Sequence, residues 1–277
     1  MRILTTRHFG AVTGYELGWS PVGRPLMTSF CYRVGPVLID TGMRHMRSAV
    51  IDIAAENGVE SVFLTHYHED HSGNAGAIAS ELGLPVYGAQ QTAQKLRRPH
   101  KIFPYQHLMW GAADPVNIEI FPGSRQVGKF RFEAVHTPGH SRDHLVYLEP
   151  NYGWLFSGDL YLSHQIKYFR VDEHIDEQID SLKKVLALDF DALFCGHRPR
   201  STNGKHYLRM KLQYLEDFFG RVAELVQAGK NEKQIMRQLQ LQEQRLIKWM
   251  CFGNVSMKNM VRSVMASLPG NAENQRQ

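Results

Sequence analysis

The residues most able to do chemistry stand in one short run, 66-HYHEDH-71, which holds three histidines and one aspartate. Imidazole and carboxylate groups are the usual protein ligands of Zn, Fe and Mn. A short apolar run precedes the motif and predicts a buried strand, so the motif begins where that strand ends. Alternate side chains there can point at two neighbouring positions. We predict that His66 and His68 bind one metal, and that Asp70 and His71 bind a second.

Further candidate ligands are needed because six residues cannot complete two coordination spheres. In open α/β architectures, ligands gather at the carboxyl ends of strands. Strands predicted over 129–135, 153–157 and 192–195 lead into the sequences TPGH, SGD and CGH. These sequences place three more potential ligands at strand ends: His140, Asp159 and His197.

The elements that must position these residues alternate between strands and helices over the first two-thirds of the chain, which predicts an α/β fold. From about residue 205 the pattern becomes helical, with further helices predicted near 231–249 and 255–267. We therefore divide the chain into a catalytic domain, residues 1–203, and a C-terminal helical extension, residues 204–277. One apolar face of the first predicted helix of this extension consists of Leu208, Leu212, Leu215, Phe219, Val222 and Val226.

The order HxHxDH, TPGH, SGD and GH resembles the metallo-β-lactamase-fold hydrolase superfamily. The strand end 38-LIDTG-42 is also similar to that family, and the motifs run in the family's order from about residue 27 to 197. The local sequences 137-TPGHSRDHLVYL-148 and 156-FSGDLYL-162 most resemble the branch that contains glyoxalase II. The resemblance is specific for the superfamily and leaves the substrate open.

This resemblance implies an αββα sandwich of two mixed sheets with a C-terminal helical extension. It also implies two divalent metal ions, Zn most readily, with Fe or Mn as alternatives. Asp40 would support the site without binding metal, and Asp70 and Asp159 would be the catalytic carboxylates. The implied ligands are His66, His68 and His140 for the first metal, Asp70, His71 and His197 for the second, and Asp159 as the bridge between them.

Some residues near the motifs depart from the family pattern or remain open. Asn74 stands where the family often has a second glycine, and Arg198 stands beside a predicted ligand. Arg198 either binds an anionic part of the substrate or faces water. The segment 96–115, rich in proline and aromatic residues, is either a lid near a pocket or a surface excursion. The candidate substrate-binding residues are Arg198, His144, Tyr161 and His164.

The implied chemistry is hydrolysis. Two metals can share a bridging water and lower its pKa from about 16 toward 7, which gives a hydroxide nucleophile. We predict cleavage of a small ester-like bond, with a thioester or lactone preferred. The alternative is a metal-dependent phosphodiesterase or nuclease of the same superfamily. A third hypothesis, a metal-bound scaffold without activity, is disfavoured because all seven ligand positions are filled.

Composition and charge limit the remaining choices. The 277 residues are 43% hydrophobic and 21% charged, which excludes wholesale disorder. Residues 198–277 carry 14 Lys and Arg against 6 Asp and Glu, a net charge of +8. These basic residues form either a solvated surface or a binding surface for nucleic acid. No apolar run is long enough for a membrane span, and we expect no signal peptide.

The three cysteines are far apart and include no CxxC pair. This spacing favours a reducing compartment and predicts a cytoplasmic protein. A small molecule is the expected binding partner, and the apolar helix face after residue 205 either packs on its own domain or forms the interface of a homodimer.

Overall fold

The computed structural model describes residues 1–269. Twelve strands and ten α-helices occur along this part of the chain, together with a 3₁₀ turn over Arg44–Met46. The strands are β1 (Arg2–Phe9), β2 (Val12–Trp19), β3 (Ser29–Val34), β4 (Val37–Ile39), β5 (Ser61–Phe63), β6 (Val86–Gly88), β7 (Glu119–Ile120), β8 (Ser124–Val127), β9 (Phe130–His136), β10 (Leu145–Glu149), β11 (Trp154–Gly158) and β12 (Ala192–Cys195). The helices are α1 (Arg47–Glu56), α2 (Glu69–Ser72), α3 (Ala75–Leu82), α4 (Gln90–Leu96), α5 (Pro104–Met109), α6 (Ile175–Leu186), α7 (Gly204–Gln227), α8 (Glu232–Gln238), α9 (Arg245–Met250) and α10 (Met257–Ser267).

The chain forms two compact units, and each is built from separate stretches of sequence. Of the residues that the structure describes, the first unit comprises 1–136, 143–162 and 189–205, and the second comprises 137–142, 163–188 and 206–269. The domain division at residue 204 stays a prediction.

The first unit contains both sheets. One has seven strands in the order β1 to β7, antiparallel from β1 to β4 and parallel from β4 to β7. The other has five strands in the order β12-β11-β10-β9-β8, with only the β11–β12 pair parallel. Both sheets are therefore mixed, as predicted.

The two sheets pack face to face through an aromatic core. The ring of Phe63 on β5 lies 5.3 Å from that of Phe132 and 5.5 Å from that of Tyr147, both on the other sheet. Such aromatic contacts add about 0.5–1.5 kcal/mol each beyond the buried area. On its other face the seven-stranded sheet packs against helices, where Val62 shares a second apolar core with Ile53 of α1 and Ile78 of α3. Strand β5, buried on both faces, is thereby fixed in position.

The second unit is helical. Lys183 of α6 pairs with Glu216 of α7 at 2.8 Å, and Glu232 of α8 pairs with Lys258 of α10 at 3.0 Å. The helix predicted over 231–249 is two helices, because Gln240 has a φ of +52° and interrupts it between α8 and α9.

Candidate metal centre

The 66–71 motif begins just after β5 and continues into α2. Strands β4, β5 and β6 are parallel, so their carboxyl ends lie at one edge of the sheet. Helix α2 begins directly after His68 and contains Asp70 and His71. All four predicted ligands of the motif are buried. Side chains this polar are buried only where partners offset the loss of water.

Ligand atoms from separate strand ends converge within the first unit. One group comprises His66, His71 and Asp159, and another comprises Asp70, His71 and His197; within each group the ligand atoms lie within 4.8 Å of one another. His71 Nε2 is 3.2 Å from Asp159 Oδ1 and 3.8 Å from Asp70 Oδ2. His197 Nε2 is 3.4 Å from Asp159 Oδ1 and 3.7 Å from Asp70 Oδ2.

His66 and His68 face each other through ring nitrogens. His66 Nε2 and His68 Nδ1 are 2.9 Å apart. The opposite nitrogen of His66, Nδ1, is 3.0 Å from Thr65 Oγ1, which itself donates to Asp40. Thr65 Oγ1 therefore accepts from His66 Nδ1, and the lone pair of His66 is left on Nε2.

Asp40 organises the site from the end of β4. Its carboxylate accepts hydrogen bonds from Thr65 N and Thr65 Oγ1, both at 2.8 Å, and lies 2.7 Å from His71 Nδ1. Its φ of +60° is uncommon for a residue other than glycine, although aspartate tolerates it better than most. In the same way, His197 Nδ1 lies 2.6 Å from the carbonyl oxygen of Thr28. Both histidines therefore turn Nε2 toward the carboxylates.

The electrostatics of this group fit a bound cation. Burial lowers the pKa of His71, but Asp159, Asp70 and Asp40 outweigh it and hold that pKa well above its usual range. Burial raises the pKa of Asp159, but His197 and His71 outweigh it and hold that pKa well below its usual range. Burial raises the pKa of Asp70. The site therefore holds carboxylate charge away from water.

The donor set passes a direct test of fit. Within the described residues 1–269, several buried polar side-chain atoms make no hydrogen bond, and His71 Nε2 is one of them. A Cβ at position 196 would lie 2.5 Å from Asp159 Oδ1 and 2.6 Å from His71 Cε1, so only glycine allows the backbone this close. Imidazole nitrogens and carboxylate oxygens that converge in this way fit a divalent metal.

The remaining predicted residues have different surroundings. His140 belongs to the second unit, where it is buried and its Nδ1 is 3.5 Å from Glu173 Oε1. His144 is fully buried and its Nε2 accepts the backbone N–H of Asp159 at 3.1 Å. Tyr161 is buried, His164 lies in the second unit, and Arg198 is exposed. The ligand roles of all seven predicted residues, the catalytic roles of Asp70 and Asp159, and the four substrate-binding roles stay predictions.

The structure also identifies supporting residues that the sequence analysis did not single out. Asp143 Oδ2 accepts hydrogen bonds from Tyr67 N at 2.9 Å and from Thr92 Oγ1 at 2.7 Å, and so links the motif to α4. Glu69, in a variable position of the motif, is buried and accepts a hydrogen bond from Gln106 of α5. The sequence offers one signal for Asp143 and Glu69, which is that each is an acidic residue in or near a motif with predicted ligands.

Comparison with known families agrees with this geometry. The model of the metallo-β-lactamase superfamily matches residues 25–197, more than half of the chain. The chain therefore belongs to the metallo-β-lactamase superfamily, and the resemblance found in its sequence is confirmed.

Curated relatives are similar at low identity. A β-lactamase-like protein 2 homolog of Drosophila melanogaster is 27% identical over 65% of this chain and 62% of its own length. A hydroxyacylglutathione hydrolase of Bdellovibrio bacteriovorus is 27% identical over 56% of each protein. An atrochrysone carboxyl ACP thioesterase of Aspergillus fumigatus is 26% identical over 91% of this chain and 73% of its own length. The chain thus spans about 60% of the length of the first two relatives.

Solved structures confirm the fold. A metallo-β-lactamase family protein from Thermus thermophilus has a TM-score of 0.63 at 19% identity, over 95% of this chain and 94% of that protein. The predicted α/β fold with two mixed sheets and C-terminal helices is confirmed. Within residues 1–269, no helix combines the length and apolar character that crossing a membrane requires.

Proposed function

We propose that this chain is a hydrolase that uses two divalent metal ions to cleave a small ester-like bond, with a thioester or lactone preferred. The observation that carries the proposal is the convergence of buried Asp70, His71 and Asp159 with half-buried His197, in which His71 Nε2 is 3.2 Å from Asp159 Oδ1. Buried imidazoles and carboxylates from separate strand ends have no packing role that apolar residues would not fill better.

The proposed ligands follow the sequence resemblance. The first ion would be held by His66, His68 and His140, and the second by Asp70, His71 and His197, with Asp159 between them. Zn is the preferred ion, with Fe or Mn as alternatives. When bound, the two ions would supply Lewis acidity and a water activated near neutral pH.

The chain's own residues would orient ligands and move protons. Asp40 and the Thr28 carbonyl hold the Nδ1 atoms of His71 and His197, which keeps Nε2 directed at the centre. Asp70, a buried carboxyl group of this centre, is the proposed acid that assists the leaving group. A thiolate leaves readily and places little demand on this proton, whereas an alkoxide depends on it more.

A small-molecule thioester is supported by two relatives whose names describe thioester cleavage, a hydroxyacylglutathione hydrolase and an ACP thioesterase. A cytoplasmic location is part of the proposal because all three cysteines are free. A homodimer also remains part of the proposal.

A phosphodiesterase or nuclease is the second candidate. It is favoured by exposed Arg198 beside His197 and by the net +8 of residues 198–277. Binding to RNA or DNA through these charges would weaken steeply as salt is raised.

A paired assay at fixed zinc loading tests both candidates. One arm follows an acyl-thioester of glutathione or coenzyme A and, separately, a lactone, and the other arm follows an activated phosphodiester. We expect thioester turnover that Asp159→Ala abolishes together with part of the bound zinc, while Asp52→Asn, an exposed change on α1, preserves both. Phosphodiester turnover alone would favour the second candidate, and no turnover of either class would overturn the hydrolase proposal.

A further inference from the structure

The turn that carries His140 is held against the start of α6 within the second unit. His174 donates its backbone N–H to Gly139 O at 2.8 Å. Gly139 has a φ of +123°, and a Cβ there would lie 2.4 Å from the backbone nitrogen of Gln178. A side chain at this position would be both strained and overlapping. The turn therefore presents His140 with little freedom.

Glu173, just before α6, presents its carboxylate to the ring of His140. Glu173 Oε1 is 3.5 Å from His140 Nδ1, and each side chain is only 10% exposed. Glu173 Oε2 accepts a hydrogen bond from Gln178 Nε2 at 2.8 Å, and the backbone N–H of Arg170 donates to Oε1 at 3.4 Å. Both oxygens are therefore fixed, and the charge of Glu173 remains next to one nitrogen of the imidazole.

We propose that Glu173 is a positioning residue that holds His140 with its proton on Nδ1 and its lone pair on Nε2. The proposal rests on the proposed function, because His140 as a metal ligand is part of it. An imidazole binds metal through an unprotonated nitrogen, and a carboxylate beside the other nitrogen fixes that tautomer and makes the ligand more basic.

The same arrangement occurs at a second predicted ligand. The carboxylate of Asp40 lies 2.7 Å from Nδ1 of His71, whose Nε2 is directed at Asp159. Glu173 Oε1 lies beside Nδ1 of His140 in the corresponding way, at the longer distance of 3.5 Å. The difference is in the sequence: Asp40 belongs to a motif at a strand end, whereas Glu173 comes from a stretch that no motif marks.

Zinc affinity tests this assignment without any substrate. Zn²⁺ is titrated against a chromophoric chelator into the metal-free full-length protein, the Glu173→Gln variant and the Asp180→Asn variant. Asp180 is exposed on α6, so its change is a matched loss of one carboxylate. We expect Glu173→Gln to weaken one of two zinc sites by roughly 10–100-fold. Asp180→Asn should leave both sites unchanged, and the melting temperatures of the metal-free proteins should agree.

The tautomer of His140 in the zinc-loaded wild type is a second measurement that needs no variant to fold. Nitrogen-15 NMR should find the proton of His140 on Nδ1. If the wild type binds no zinc, the proposed function fails and this assignment fails with it. If the wild type binds two zinc ions but Glu173→Gln binds them equally well, or His140 carries its proton on Nε2, only the role of Glu173 is overturned.

Discussion

Gln106 donates its side-chain amide to the buried carboxylate of Glu69 at 3.0 Å, which joins α5 to the 66–71 motif. The carbonyl oxygen of the same amide accepts the backbone N–H of Phe103 at 2.7 Å and caps the start of α5. His100 Nε2 lies 3.5 Å from the second carboxylate oxygen of Glu69. The buried carboxylate of Glu69 thus anchors the segment 96–115, which the sequence analysis described as either a lid or a surface excursion.

Replacing Gln106 with alanine should loosen this segment. The change leaves the buried Glu69 carboxylate without its amide donor, which costs about 2 kcal/mol. Hydrogen exchange of residues 97–109 should become faster, while β5 and β6 should keep their protection. Gln94→Ala, an exposed change on α4, is the control. Unchanged exchange in Gln106→Ala would show that the segment is held by other contacts.

Replacing Asp40 with asparagine should weaken metal binding while the backbone remains intact. Asparagine tolerates the positive φ at this position, but it removes the charge beside His71 Nδ1 and replaces one of the two acceptor oxygens with an amide that can only donate. We expect zinc affinity to fall roughly 10–100-fold, as is typical when the partner of a ligand is lost. Chelator competition measures it, with Asp52→Asn as the exposed control. Equal affinities in both variants would contradict a supporting role for Asp40.

Glu243 should make the stability of the second unit depend on acid pH. Burial raises the pKa of Glu243, but hydrogen bonds from Ser256, Lys248 and the backbone of Lys258 outweigh it and lower that pKa. Because this pKa is lowered by folding, the ionised Glu243 carboxylate stabilises the folded state fully above its unfolded pKa, near 4.5. That stabilisation is lost as pH falls through the lowered pKa of the folded state.

The measurement compares melting temperatures of Glu243→Gln and wild type between pH 3 and pH 7. At pH 7 the variant should be less stable by about 1 kcal/mol, and the difference should shrink toward pH 3. The exposed change Glu224→Gln on α7 should show no such trend. A difference that is the same at every pH would rule out the charge of Glu243 as its cause.

The buried thiols should be unreactive in the folded protein. Burial raises the pKa of Cys195 to about 11, and burial together with Asp40 raises the pKa of Cys31 further. At pH 8 only about a thousandth of a thiol with pKa 11 is the reactive thiolate. Iodoacetamide should therefore modify neither residue until the protein is unfolded, as mass spectrometry of digested protein would show. Rapid labelling of native Cys31 would contradict its buried position.

Sequence predicted the parts of this molecule that are locally encoded. The 66–71 motif and the later strand ends carry ligand types in short patterns, and β5 and β12 are apolar runs with clear limits. Strand β1 was not predicted because it lies at a sheet edge with most of its side chains exposed, so it has no apolar alternation.

Other features depend on partners that are distant in sequence. Glu69 and Gln106 are 37 residues apart, and no local pattern pairs them. The break at Gln240 was missed because a helical apolar pattern records periodicity and does not register one left-handed residue. The contact of His197 with Thr28 spans 169 residues and is specified only by the pairing of whole elements.

That last contact has a consequence for the order in which the protein matures. During synthesis, His66, His68, Asp70 and His71 leave the ribosome long before His197. At about 5–20 residues per second the interval is roughly ten seconds. During this interval Thr28 lacks its contact with His197, and the histidines of the 66–71 motif lack the later strand ends. The nascent protein therefore carries only part of the proposed ligand set, and the proposed metal sites can be completed only after His197 has been added.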